Sequence, residues 1–90
     1  MTFEGNNGDE WAETEEEAKA LDLEMLREDL VAELQAINQY QQHFEMLDDE
    51  EAQEVVRRLI SEEKEHVAEL VKLVLKLDPD QVEKFERLGL

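Results

Sequence analysis

The sequence contains no cysteine, which excludes disulfides, thiolate metal ligands and thiol nucleophiles. Proline occurs once, at Pro79, and beyond residue 13 glycine occurs once, at Gly89. Residues 14–78 therefore lack the two strongest helix breakers. No apolar run approaches the roughly 18 residues of a transmembrane helix. The start, Met1-Thr2-Phe3-Glu4-Gly5-Asn6-Asn7, has neither the basic beginning nor the apolar centre of a signal peptide. Basic residues are scarce, with 9 Lys and Arg against 26 Asp and Glu, for a net charge of −17. Such a surface repels nucleic acid and anionic membrane and concentrates cations. An intracellular, cytoplasmic protein with no nucleic-acid or membrane partner is expected.

What is present is helical patterning. Ninety residues make one domain at most, and one copy buries only a thin core. Residues 1–13 hold Gly5, Asn6, Asn7 and Gly8 and read as a disordered acidic tail. Thr14 with Glu17 forms a capping-box pair, and Asp22 is a later candidate for the same start. From there Leu23, Leu26, Leu30, Glu33, Ile37, Tyr40, Phe44 and Leu47 recur at steps of three and four, which predicts a helix to about Leu47. Asp48-Asp49-Glu50-Glu51 breaks the pattern. Asp48, with Glu51 reaching back, is expected to cap a second helix over about residues 49–76. Asp78-Pro79 stops it and starts a short third helix to about Leu88, anchored by Phe85 and Leu88 and closed by Gly89. The fold class is all-α, with an antiparallel two-helix hairpin over residues 14–77 and a C-terminal helix over 78–90.

The run Ser61-Glu62-Glu63-Lys64-Glu65-His66 carries the chemistry. Glu63 and His66 lie three residues apart and so share a helix face. Read outward, they sit in a seam of Val56, Leu59, Leu70, Leu73 and Leu77. A carboxylate in such a seam costs several kcal/mol unless something neutralises it. A tight turn near residue 48 makes the helices antiparallel, so residue numbers that sum to about 96 lie level. Glu33 then stands level with Glu63, and Leu30 with His66. Glu33 also interrupts an apolar seam, between Leu30 and Ile37. Two carboxylates and an imidazole meeting at one height point to a metal site. Each also has a plainer reading, since a seam Glu can be satisfied by an amide or lysine and a seam His is more often a hydrogen-bonded core residue. Tyr40, two turns beyond Glu33, is either a core residue or a hydrogen-bond donor or redox-active phenol beside the site. His43 belongs on the surface.

One Glu and one Glu-x-x-His are half of the ligand set of four-helix di-iron carboxylate proteins. Two copies of this hairpin would complete it and would cover the face each leaves open. The expectation is a homodimer forming a ferritin-like four-helix bundle. Carboxylate and imidazole ligands suit iron or manganese, with zinc as a substitute.

Glu33-Leu34, Ala36 and Tyr40, followed by Glu62-Glu63-Lys64-Glu65-His66, resemble the encapsulated ferritins, half-length ferritin-like proteins held inside encapsulin shells. The resemblance covers about residues 23–77. It implies a di-iron site between two subunits built from Glu33, Glu63 and His66 of each. It implies ferroxidase activity, with Tyr40 nearby, in which Fe(II) is oxidised by dioxygen for mineral storage. It also implies a ring of dimers such as a decamer, an encapsulin shell protein as partner, and residence in that nanocompartment. Ala32 and Gln35 depart from the acids that family members carry there as a metal-access site, and Gln39 departs from a common aromatic residue. Arg87-Leu88-Gly89-Leu90 is only faintly similar to a shell-targeting tail, and fusion to a shell protein is an equal alternative. Competing functions are a rubrerythrin-like peroxide reductase, a non-catalytic helical oligomer and a metal buffer.

Overall fold

A computed structural model of the chain describes residues 13–90. Apart from Glu13, the tail expected at residues 1–13 lies outside the described residues. Three helices follow, α1 (Glu15–Met46), α2 (Glu50–Leu77) and α3 (Pro79–Arg87), with no strand among the described residues. The long pair α1 and α2 pack together as the expected hairpin, and α3 packs on α2.

The first helix begins at the capping box. Glu17 donates its N–H to the Thr14 hydroxyl at 3.0 Å, and Thr14 donates its N–H to the Glu17 carboxylate at 3.1 Å. Two of the unpaired donors of the first turn are thereby satisfied. Asp22 consequently lies inside α1 and starts nothing. The second helix is capped one residue later than expected. Asp49, not Asp48, accepts from the Ala52 N–H at 2.7 Å. Three non-helical residues, 47–49, separate the long helices, so Asp49 is the last residue before the first turn of α2. Its third helical residue is then Ala52, and Glu51 has no capping-box partner.

A side chain that the sequence did not single out ties the turn together. Gln53 donates its amide to the Leu47 carbonyl at 2.7 Å and to that of Phe44 at 3.4 Å. These are carbonyls that the end of α1 leaves without helical partners. At the other end of the hairpin, Asp78 serves two elements. One oxygen accepts from the Gln81 N–H at the start of α3, and the other from the Arg27 guanidinium of α1 at 2.9 Å. The third helix ends at Gly89, whose φ of 79° is the left-handed conformation that glycine adopts without penalty. There Leu90 donates to the Phe85 carbonyl and Gly89 to that of Glu86, a Schellman-type closure. Phe85 is half-buried as expected, whereas Leu88 is 77 % exposed and anchors nothing in the protomer.

Among the described residues only Ile60 and Val74 are buried. Both belong to the α2 stripe Ile60–Val67–Val74, which is one residue out of step with the expected seam through Leu59, His66 and Leu73. Of the expected seam, Val56, Leu59, Glu63, Leu70 and Leu77 are half-buried and only His66 and Leu73 are exposed, so it adjoins the buried stripe and its outer edge stays open. The reason is geometric. Residues spread over more than about 100° of one helix cannot all face one neighbour squarely, so the far edge at His66 and Leu73 is left exposed.

The capping assignment is directly testable. Asp49→Ala is expected to lower stability by about 1 kcal/mol and Asp48→Ala by less than about 0.5 kcal/mol, measured by urea unfolding at fixed protein concentration. Equal losses would place the cap elsewhere.

Candidate metal centre

Glu33 comes from the middle of α1, and Glu63 and His66 from the middle of α2. The Glu63–His66 spacing puts both on one side of α2, and the antiparallel register brings Glu33 opposite them. The His66 Nδ1 lies 2.8 Å from a Glu63 oxygen and 3.4 Å from a Glu33 oxygen. One ligand atom from each of the three residues falls within 4.8 Å of the others. The coincidence expected from numbering and turn position is therefore present in the fold.

The side chains of Glu63, Glu33 and His66 are 18 %, 26 % and 52 % exposed. The carboxylates are set between the helices, and the imidazole stands at the rim. All three lie where the covered valine stripe gives way to the open leucine flank. Beside them an open cleft of about 600 Å³ is lined by Asp29, Ala32, Glu33, His66, Glu69, Leu70, Lys72 and Leu73. Asp29 and Glu69 were not foreseen. Their signal was spacing, since Asp29 precedes Glu33 by four and Glu69 follows His66 by three, the intervals that share a helix face. Tyr40 is half-buried on the stripe of Glu33, outside the lining of this cleft. His43 is exposed in the last turn of α1, as expected for a surface residue.

The electrostatics are those of two acids sharing one cation. The adjacent Glu63 carboxyl, and then partial burial, push the Glu33 pKa above the ordinary carboxylate range. Glu63 moves down, because it accepts from Glu33 and from His66. His66 is pushed up by the hydrogen bond to Glu63 and then by that to Glu33. The opposite shifts of the two acids belong to the pair, which titrates together. No Lys or Arg forms an ion pair with either carboxylate among the described residues. The imidazolium is their partner.

A divalent cation fits this donor set. Two carboxylate oxygens and one imidazole nitrogen are hard-to-intermediate ligands that suit iron and manganese, and zinc as well. The Nδ1 atom already faces the carboxylates, so the ring need not turn over to present a lone pair once it loses its proton.

The chain resembles two known encapsulin-related proteins. It is 43 % identical over 60 residues to a ferritin-like–encapsulin shell fusion protein of Pyrococcus furiosus, which covers 67 % of this chain and 17 % of that one. It is 38 % identical over 66 residues to the encapsulin nanocompartment cargo protein EncC of Myxococcus xanthus, covering 70 % of this chain and 51 % of that one. The chain thus spans about half the length of one curated relative it matches and a smaller part of the other. No family profile matches it, and no solved structure does so significantly. No helix among the described residues is long and apolar enough to cross a membrane.

A cation competes with protons for Glu33 and His66, whose pKa values are both raised, so affinity and pH are linked. The raised His66 pKa means that proton competition begins above the ordinary histidine range. Apparent affinity for a divalent ion is expected to fall steadily as pH drops through that region, with proton release on binding. Calorimetry in buffers of different ionisation enthalpy checks both, and a pH-independent affinity would contradict it. In the metal-free protein the sign reverses for stability. The His66 contribution is full below the unfolded histidine pKa and is lost as pH rises through the raised folded value.

Proposed function

We propose that the chain is a ferritin-like ferroxidase associated with an encapsulin shell, oxidising Fe(II) with dioxygen for iron storage in that compartment. The observation that carries this reading is the meeting of Glu33, Glu63 and His66 at one point of the hairpin. The likeness to a cargo protein and to a ferritin-like shell fusion supports the setting.

Two copies related by a twofold axis would contribute four carboxylates and two imidazoles, the complete set for two ions between four helices. The same association would cover the Leu59–His66–Leu73 flank that the lone hairpin leaves open. It would form a homodimer and, in the shell, a ring such as a decamer. Each ion would be held by a Glu33 together with a His66, with Glu63 as the carboxylate shared between the two ions. Metal and proton compete for the same three side chains, which places uptake under pH control. Negative carboxylates favour the higher charge of Fe(III) over Fe(II) and so assist oxidation. Bound iron supplies the electrons, one from each Fe(II), that dioxygen accepts. Tyr40, on the stripe of Glu33, would donate a hydrogen bond or an electron from beside the ligands.

Fe(II) oxidation by the parent chain, followed by absorbance under air, is expected to exceed the uncatalysed rate. Glu63→Ala and His66→Ala should lower it by at least about tenfold, since even changes outside the ligands cost about 10–100-fold. Parent-like rates in both variants would remove the assignment. Replacing dioxygen by peroxide separates a peroxide reductase, and ion binding with background oxidation would indicate a metal buffer. If metal removal leaves a stable dimer and no oxidation is seen, the chain is a structural oligomer.

A further inference from the structure

On the side of the hairpin away from the open leucine flank, a second cleft of about 350 Å³ is lined by Gln41, Phe44, Arg57, Ile60, Ser61 and Lys64. Its volume is at the low end of small-molecule sites, which run from about 300 to 1,000 Å³. Its chemistry opposes that of the chain as a whole. With 26 acidic residues in 90, this lining includes none. It offers a guanidinium, an ammonium, a hydroxyl and an amide, all of them able to donate hydrogen bonds.

The donors have a structural basis. Arg57, Ser61 and Lys64 follow one another at steps of four and three along α2 and so share a face. The Arg57 guanidinium lies over the Phe44 ring, 5.0 Å from its centre, and also pairs with Glu54. Those contacts fix its position while leaving it donors to spare. Lys64 forms no ion pair among the described residues, although Glu62, Glu63 and Glu65 adjoin it in sequence. The residues three and four positions away, Ile60, Ser61, Val67 and Ala68, are uncharged. Its ammonium is therefore drawn to no neighbouring acid and borders the cleft.

We propose that this cleft binds a phosphate group, either inorganic phosphate or a small phosphate monoester. A dianion matches the paired positive charges of Arg57 and Lys64. Its several acceptor oxygens match the donors of Ser61 and Gln41 at the same opening. The guanidinium fork suits phosphate geometry, and the ammonium serves as a point charge. Glu54, the ion-pair partner of Arg57, stands at the edge of the cleft, and salt screens more distant acids over about 8 Å. Room above Ile60 and Phe44 would accept the apolar body of an ester.

The test uses the full metal-free chain, so its outcome is independent of iron oxidation. Inorganic phosphate and glycerol phosphate are titrated separately while backbone amide NMR shifts are recorded. Saturable shifts centred on Gln41, Ser61 and Lys64 are expected. Affinity should fall at least tenfold in Lys64→Gln and stay unchanged in Lys76→Gln, the same charge change near the end of α2. Tighter binding of the ester than of the ion would identify a monoester as ligand, and equal binding would identify inorganic phosphate. Circular dichroism verifies that both variants remain helical, and Ser61→Ala gives a second, milder variant expected to weaken binding. Shifts spread over all lysines, equal affinities across the variants, or a Lys64→Gln effect confined to oligomeric mass would each overturn the proposal.

Discussion

Two carboxylates held against each other between helices are the constraint on which this molecule turns. Separately, Glu33 and Glu63 would be tolerated as ordinary polar interruptions of an apolar stripe. Facing each other across the hairpin, they cannot both carry full charge without a compensating cation. His66 compensates in the metal-free chain. Its Nδ1 stands within 3.4 Å of both acids, and the proton it retains is the one that a metal ion would replace.

The stability of the hairpin and the completeness of the site are linked by the shape of α2. That helix presents two adjoining apolar stripes, and the valine-rich one is the more fully buried. The remaining stripe carries His66 among leucines, so the surface with the most to gain from burial is the surface on which the donors open. Among the described residues only two side chains are buried, a thin core to set against the large conformational entropy that folding must offset. Local devices share the task. The Thr14–Glu17 box, the Asp49 cap, the Gln53 bridge across the turn and Asp78 between Arg27 and α3 fix the ends of every helix. They set the relative height of α1 and α2, on which the meeting of Glu33 with His66 depends.

Much of the site was legible because it rests on two simple periodicities. The Glu63–His66 interval is a property of the helix, and the level of Glu33 follows from the position of the turn. The near miss at the cap had little consequence, since moving it from Asp48 to Asp49 shifts the register by a fraction of a turn. What the pattern missed was the edge of the enclosed face, since Val56, Glu63, Leu70 and Leu77 of the seam are half-buried while His66 and Leu73 are exposed. Leu59, His66 and Leu73 fit a heptad as well as Ile60, Val67 and Val74 do, and leucine is no less apolar than valine. The pattern of a helix with two such stripes contains no sign of which one its neighbour will cover. Asp29, Glu69 and Gln53 escaped notice for a related reason, being polar residues in a chain rich in them.

The helices, their caps at Thr14 and Asp78, the antiparallel pairing and the shared height of Glu33, Glu63 and His66 could be read before any fold was known. All of these follow from spacing along one chain, where the 3.6-residue period acts locally. Only the tertiary structure decided how α2 is rotated against α1, and therefore that the carboxylates lie between the helices while the imidazole stands at an open rim. That rotation is chosen by packing side chains from two distant segments against each other, a choice between nearly equal stripes that no local period can make.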